Sequence, residues 1–218
     1  MKRQHLYLLL ICTVNVLAGL PLRAQTGPVG FRMGFVKVKI QPQAPVKLIS
    51  GKISSLTNIR KVNIRYDRDS MKVCDYNSEA AYLDHRCEDK ESSVAKSIRE
   101  KWAYTHKEVC EPYFEEYFNK NGEKIGITGT NYSDEKVPIL LVHITMEDPH
   151  HHTQVLNTPP YIIAECMFFD ESGARLAVFE VKAIGSSNGD IQERLRDCYA
   201  IAGKMLAKDL AKRIKDLD

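Results

Sequence analysis

The sequence predicts an α+β fold in which helices cover one face of a mostly antiparallel sheet. Residues 160–184 form two apolar arms around the turn residues 170–173, a pattern that predicts a β-hairpin. Residues 137–146, VPILLVHITM, are apolar enough for a central strand. After Asp190, apolar residues recur at steps of three and four, which predicts one long C-terminal amphipathic helix.

The remaining strands are predicted by period-two alternation. Residues 34–40, GFVKVKI, and residues 61–67, KVNIRYD, each place alternate apolar side chains on one face. Residues 41–58 contain Pro42, Pro45 and Gly51 and remain ambiguous.

A helical region separates these strands from the hairpin. Ser78 followed by Glu79 is typical of a helix start, and a longer helical stretch begins at Ser92. Pro112 either starts a second helix or kinks the first, and Asn121-Gly122 ends the stretch.

The N-terminus is typical of a cleaved secretory signal. Lys2 and Arg3 precede a mostly apolar run over residues 6–20, and Ala24 offers a small residue at the cut. We expect residues 1–24 to be a signal peptide and residues 25–218 a single α+β domain. Retention of the leader as an anchor is the alternative, although the apolar run is short and interrupted. The expected location is periplasmic or secreted, without a stable membrane span after cleavage.

Charge excludes two classes of partner. The chain has 31 Lys and Arg against 28 Asp and Glu, and the leader holds three of the bases and no acids. Cleavage therefore leaves 28 of each sign. A balanced domain without a basic cluster has no general attraction for nucleic acid or acidic lipid.

The cysteines do not suggest a redox or zinc motif. No C-x-x-C occurs, and an odd number beyond the leader leaves at least one thiol free unless it pairs between chains. Cys74 and Cys87 could bridge in an oxidising compartment, whereas Cys166 and Cys198 are expected to be small buried side chains. The five cysteines are Cys74, Cys87, Cys110, Cys166 and Cys198.

Residues 146–154, MEDPHHHTQ, raise the question of a metal site. The weak candidate ligands are His150, His151, His152, Asp148 and His143. Consecutive histidines point in different directions unless the loop curls, and neither H-E-x-x-H nor H-x-H is present. A solvated loop is favoured, with weak transition-metal binding and a dedicated site as the alternatives.

No catalytic motif is complete. Residues 185–189, GSSNG, match the G-x-S-x-G elbow of α/β-hydrolases with Ser187 as nucleophile, but no histidine follows Ser187. The carboxylates of the second helical region, beside His106, are interpreted as a solvated helix face. They are Glu108, Glu111, Glu115 and Glu116.

Aromatic side chains cluster on the same helical region. Most should belong to the core, and any left exposed would mark a binding surface. They are Trp102, Tyr104, Tyr113, Phe114, Tyr117 and Phe118.

Two groups of segments resemble known families. The long apolar strand, the hairpin, the Gly-Ser-Ser-Asn-Gly turn and the last helix resemble small periplasmic α/β domains, as in the curli-secretion lipoprotein and the N-terminal domain of the Tol translocation protein. Residues 61–120, with VNIRYDRDSMKVCDY, EAAYLDHR and EPYFEEYFNK, are similar to uncharacterised secreted bacterial proteins. Together these segments cover about two-thirds of the chain. The resemblance implies an envelope protein with a binding or assembly role, and it implies no catalytic residues.

We therefore expect an exported, non-enzymatic binding module without a cofactor, acting on an envelope protein or surface component. The alternative is an extracytoplasmic metal-dependent hydrolase or a metal-binding protein that uses the His150–His152 loop.

Overall fold

The structure is a computed structural model, and it describes residues 45–131, 136–149 and 159–217. Residues 1–24, expected to be a signal peptide, the strand expected at residues 34–40 and the histidines His150–His152 lie outside these residues. The described residues belong to a compact unit that spans Gln41–Asp218.

The elements follow the predicted order. The strands are β1 (Val46–Gly51), β2 (Lys61–Asp67), β3 (Lys72–Val73), β4 (Thr128–Thr130), β5 (Ile139–Asp148), β6 (Tyr161–Phe169) and β7 (Arg175–Ile184). The α-helices are α1 (Glu79–Cys87), α2 (Ser92–Tyr104), α3 (Glu111–Gly122) and α4 (Ile191–Lys215). Short 3₁₀ segments cover Ile53–Leu56 and Glu123–Ile125, and a π-helical turn covers Thr105–Cys110.

The strands form one mixed sheet with the order β1-β7-β6-β5-β2-β4, and β3 pairs with β5. The three pairings from β1 through β7 and β6 to β5 are antiparallel. The pairings of β2 and β3 with β5, and of β4 with β2, are parallel because helical segments separate these strands in the chain. The predicted α+β class is confirmed, and its antiparallel part contains the three longest strands.

The predicted hairpin is confirmed between β6 and β7. Its turn is stabilised by Asp170, whose carboxylate accepts hydrogen bonds from the backbone N–H groups of Ser172 and Ala174. Gly173 has a φ of +85°, a left-handed conformation that favours glycine. β6 alternates strictly between buried and half-buried residues, so one face of the sheet belongs to the core.

The C-terminal helix covers that buried face. Leu195, Cys198, Leu206 and Leu210 form part of its buried stripe. Asp190 is the N-cap of the helix, as predicted, and it forms a capping box with Glu193. The Asp190 carboxylate accepts from the Glu193 N–H, and the Glu193 carboxylate accepts from the Asp190 N–H. α3 packs along α4, and no helix in the described part of the chain is long and apolar enough to cross a membrane.

The region from α2 to α3 continues through a π-helical turn. Its inward-facing residues recur every four positions: Ile98, Trp102, His106, Cys110, Phe114 and Phe118. In an α-helix each step of four residues rotates a side chain by roughly 40° relative to the previous one. The wider π-helical turn, in which the Glu111 N–H bonds to the His106 carbonyl, counters this rotation and keeps the six residues directed inwards. Pro112 lies in the first turn of α3, as one of the two predictions for it stated.

Candidate functional site

A partly enclosed cavity of about 260 Å³ lies between α1, α2 and the start of α4. Its apolar wall is formed by Leu83, Ile98, Trp102 and Ile191. Its polar lining residues are Arg86, Lys101, Thr105, Asp190 and Gln192. An apolar concave surface with a few placed polar groups is the usual form of a small-molecule site.

Trp102 is a fixed part of the cavity wall. Its side chain is 8% exposed, and its indole Nε1 donates to the Glu79 carboxylate at 2.6 Å. Tyr82 packs on one side of the indole at 5.1 Å between ring centres, and His106 packs nearby at 4.8 Å. These contacts hold the indole in one orientation, so a ligand would meet a preformed surface.

The two cationic side chains of the cavity differ in how firmly they are held in place. The half-buried Arg86 donates from Nη1 to the Tyr82 hydroxyl at 3.1 Å, and its guanidinium lies 5.7 Å from the centre of the Tyr82 ring. Lys101 is exposed on α2. Arg86 is therefore a positioned charge, whereas Lys101 adds a mobile positive charge.

Asp190 is the acid of the cavity lining, and it is engaged as the cap of α4. Its carboxylate accepts from the Glu193 N–H at 2.9 Å, where the positive end of the helix dipole stabilises it. The cavity lining therefore carries two cations, Arg86 and Lys101, against the one carboxylate of Asp190.

Behind Trp102 lies a buried polar network. His106 Nε2 is 3.0 Å from both carboxylate oxygens of Glu147, and the Tyr199 hydroxyl donates to the same carboxylate at 3.4 Å. His106 Nδ1 is 2.9 Å from the Trp102 carbonyl oxygen, which can only accept, so Nδ1 carries a proton. The side chains of His106 and Glu147 have no exposed surface.

The charges of this network follow from its geometry. Burial lowers the pKa of His106, but the Glu147 carboxylate and its hydrogen bond raise it, and the net result lies above the ordinary value. Burial and the Glu147 charge raise the pKa of Tyr199 well above its ordinary range. The contact with Glu147 therefore favours the protonated form of His106, and burial favours the neutral form of the Tyr199 phenol. A His–Glu–Tyr set has the groups for acid–base chemistry, but this one lies behind the cavity wall and out of contact with solvent.

A second depression, of about 630 Å³, lies at the end of the sheet beside the β6–β7 turn. It is wide and open, and its lining includes Asn58, Arg60, Asp170 and Glu171. Its lining also includes the apolar residues Ile59, Val137, Pro138 and Leu176, but it is the more open of the two, so the smaller and more enclosed cavity is the stronger candidate for a ligand site.

The sheet does not bring the two described metal candidates together. His143 Nδ1 is 2.8 Å from Asp67, and Asp148 accepts a hydrogen bond from the Cys74 thiol at 3.6 Å. Their partners on β6, Glu165 and Tyr161, are four residues apart, which separates the backbones of His143 and Asp148 by roughly 13 Å. Within the ranges that the structure describes, no three His, Cys, Asp or Glu side chains converge as a metal site. The role of His150, His151 and His152 stays a prediction.

The interpretation of the helical carboxylates as a solvated face is wrong in part. Glu108 and Glu116 are exposed, but Glu111 is half-buried and pairs with Arg68 at 3.0 Å. Glu115 is also half-buried and accepts from the Asn131 N–H at 3.3 Å. Burial raises the pKa of both Glu111 and Glu115. His106, expected beside a solvated face, is fully buried because the π-helical turn directs it towards Glu147.

Three of the six aromatic residues are buried, whereas most were expected to belong to the core. Trp102, Phe114 and Phe118 are buried, while Tyr113 and Tyr117 are half-buried and stack on each other. Tyr104 is 57% exposed. Ser187 lies in the polar connection between β7 and the Asp190 cap, which agrees with its interpretation as part of a turn.

All five described cysteines are free thiols. The suggested Cys74–Cys87 bridge is absent from this structure, where the Cys74 thiol donates to Asp148 and the Cys87 thiol donates to the Ala95 carbonyl at 3.7 Å. Cys166 and Cys198 are buried, as predicted.

The sequence patterns predicted neither the cavity nor the buried network. Arg86 and Lys101 lie on different helices, and Glu147 is 41 residues from His106. One sequence signal was present: the four-residue repeat from Ile98 to Phe118 includes His106 among residues that face the core.

Comparison with known proteins shows little similarity. No protein-family model matches the chain, and no curated protein matches its sequence. Among solved structures, the chain is similar to the PelC dodecamer from Paraburkholderia phytofirmans at 12% identity and a TM-score of 0.37, over 73% of this chain and 96% of that one. A leucine-to-methionine variant of the same dodecamer gives 12% identity and a TM-score of 0.36, over 74% of this chain and 95% of that one.

Proposed function

We propose that this protein is an exported, non-enzymatic binding module of the cell envelope, and that the cavity between α1, α2 and α4 is its binding site. The observation that carries the proposal is that the side chains able to act as acids or bases lie outside the cavity that a ligand can reach. The acid–base groups His106, Glu147 and Tyr199 are sealed in the core, while the accessible cavity presents apolar side chains, two cations and the capping carboxylate of Asp190. A site of this kind holds a ligand by burial and charge rather than by reacting with it.

Export is supported by the leader-like pattern of residues 1–24. Its test is the mass of the full-length gene product recovered from fractionated cells. We expect a chain that begins at Gln25 outside the cytoplasm. An intact chain with Met1 in the cytosol would contradict the export part of the proposal.

Binding is tested by native mass spectrometry of protein purified from its own cells, which detects a retained small molecule. The key variant is Ile98→Trp, which places an indole in the cavity. Its matched control is Val94→Trp, one turn earlier on α2, where Val94 is 44% exposed and does not line the cavity. We expect a bound species in the wild type and in Val94→Trp, and its loss in Ile98→Trp. A species retained equally by both variants would remove the cavity as the binding site.

A further inference from the structure

We propose that the ligand of the cavity is a small organic acid with an apolar or aromatic body, whose carboxylate is held by Arg86 with support from Lys101. This inference rests on the proposed function and names its ligand class.

The charges around the cavity favour an anion. Arg86 and Lys101 line it from α1 and α2, against one lining acid, Asp190, whose Oδ1 accepts a hydrogen bond from the Glu193 N–H, so cations outnumber acids in the lining. Glu79, near Trp102, is bonded to the indole N–H. The guanidinium of Arg86 has five N–H donors, and its hydrogen bond to Tyr82 leaves donors for a carboxylate. Because Arg86 is half-buried, its attraction for an anion is screened less than that of a surface cation.

The size of the cavity limits the ligand. A volume of 260 Å³ is slightly below the roughly 300–1,000 Å³ of typical small-molecule pockets. It holds roughly nine waters at the ~30 Å³ that each occupies in the liquid. A molecule of about ten non-hydrogen atoms therefore fits, such as an aryl-alkanoic or medium-chain carboxylic acid.

The apolar wall selects the body of the ligand. Leu83, Ile98 and Ile191 are aliphatic, and Trp102 adds an aromatic surface held in place by Glu79 and Tyr82. Burial of an apolar body against this wall supplies binding free energy, while the cations at the cavity distinguish an acid from a neutral molecule of the same shape.

Trp102 makes the test direct, because it is the only tryptophan of the chain. The indole fluorescence of the full chain would be titrated with 3-phenylpropanoate and with the matched neutral probe 3-phenylpropan-1-ol. We expect saturable binding of the acid, with a Kd at least about tenfold lower than that of the alcohol. Arg86→Gln should weaken acid binding about tenfold and leave alcohol binding unchanged, and Lys101→Gln should do the same by a smaller factor.

The matched control is Lys96→Gln, which removes an exposed cation from α2 outside the cavity. It should bind the acid as the wild type does. Equal affinity for acid and alcohol, or no effect of Arg86→Gln on acid binding, would overturn the acid assignment. Native mass spectrometry with the Ile98→Trp and Val94→Trp pair tests the binding site independently, so a neutral native ligand lost only in Ile98→Trp would reject the ligand class and keep the proposed function. Circular dichroism of each variant verifies that it is folded.

Discussion

The side chains of His106 and Glu147 are hydrogen-bonded and have no exposed surface, and Nε2 lies 3.0 Å from both carboxylate oxygens. His106 belongs to the π-helical turn between α2 and α3, and Glu147 belongs to the central strand β5. The pair therefore connects the helical layer to the sheet. It also explains why a polar residue occupies one position of an otherwise apolar four-residue repeat, since the histidine satisfies the only carboxylate that is fully buried among the described residues.

The first prediction concerns removal of that carboxylate. Glu147→Leu should lower the free energy of unfolding by about 3–5 kcal/mol, because His106 and Tyr199 lose their buried partner. Glu147→Gln should cost less, because the amide keeps hydrogen bonds to both. Urea denaturation followed by circular dichroism measures these differences.

The control for this prediction is Glu100→Leu, which breaks the exposed pair of Glu100 with Lys96 on α2. Its effect should stay within about 0.5 kcal/mol, as for other exposed helical pairs. A similar cost for Glu147→Leu and Glu100→Leu would mean that the buried pair does not connect the two layers.

The second prediction is a dependence of stability on pH. The pKa of His106 is raised in the folded protein against an ordinary value of about 6.5, so the folded state binds its proton more tightly than the unfolded state does. The stability gained from this proton is fully present below pH about 6.5 and is lost as the pH rises through the folded-state pKa. Urea denaturation at a series of pH values from mildly acidic to mildly alkaline measures the decline.

The comparison for the pH experiment is His106→Gln, which removes the titrating group. Its stability should be lower than that of the wild type on the acidic side of the series, and it should decline less towards the alkaline side. The neighbouring Tyr199, whose pKa burial raises well above its ordinary value, stays neutral over this range. Parallel curves for the wild type and His106→Gln would assign the pH dependence to other groups.

The third prediction concerns the close contact of α3 with α4. A Cβ at Gly203 would lie 2.3 Å from the Phe114 carbonyl oxygen and 3.1 Å from the Phe118 backbone nitrogen. Gly203→Ala should therefore lower stability by about 1–3 kcal/mol, as overpacking does, even though alanine is the better helix former by ~1 kcal/mol. Thermal unfolding measures this loss of stability, and the control is Lys204→Ala, a substitution at the exposed neighbouring residue. A Gly203→Ala variant as stable as the wild type would show that the helices can separate at no cost.

Local chemistry explains which parts of the fold the sequence predicted. The β6–β7 turn is closed by Asp170 and Gly173 within the segment itself, and the start of α4 is capped by Asp190 and Glu193, three residues apart. All the residues that form such a turn or cap lie within a few positions of one another in the sequence. The elements that depend on them were therefore predicted correctly.

The parts that the sequence did not reveal depend on tertiary packing. The burial of His106 requires Glu147 from a strand 41 residues away, together with a π-helical turn that no short motif specifies. The cavity requires Arg86 and Lys101, each an ordinary helical cation, to meet the start of α4. The cavity has no periodic pattern of its own, and the four-residue repeat indicates that His106 faces inwards without identifying Glu147 as its partner, so neither arrangement could be found before the helices were placed.

The fourth prediction concerns thiol reactivity. Burial and the nearby Asp148 raise the pKa of Cys74 to about 12, and burial raises the pKa of Cys110, Cys166 and Cys198. Because the thiolate is the reactive form, iodoacetamide at mildly alkaline pH should modify the folded protein slowly. Cys74 should react first because it is the half-exposed thiol of the described set, and the others should react after denaturation.

Peptide mass mapping identifies each modified cysteine and separates them from Cys12 of the leader. Mapping without reduction also detects any bridge. Modification of Cys110 or Cys166 in the folded protein as fast as Cys74, or recovery of a peptide that joins Cys74 to Cys87, would contradict the arrangement of free, buried thiols.

The fifth prediction concerns metal content, which decides between a solvated histidine loop and the metal-dependent alternative. We expect protein purified without a tag to contain far less than one transition-metal ion per chain. Three consecutive histidines need further ligands to hold an ion firmly, and the nearest described candidates are engaged elsewhere, His143 by Asp67 and Asp148 by Cys74. Elemental mass spectrometry of the wild type and of the His150→Ala, His151→Ala, His152→Ala triple variant measures the content. One zinc per chain in the wild type, lost in the triple variant, would replace the binding-module proposal with a metal-based one.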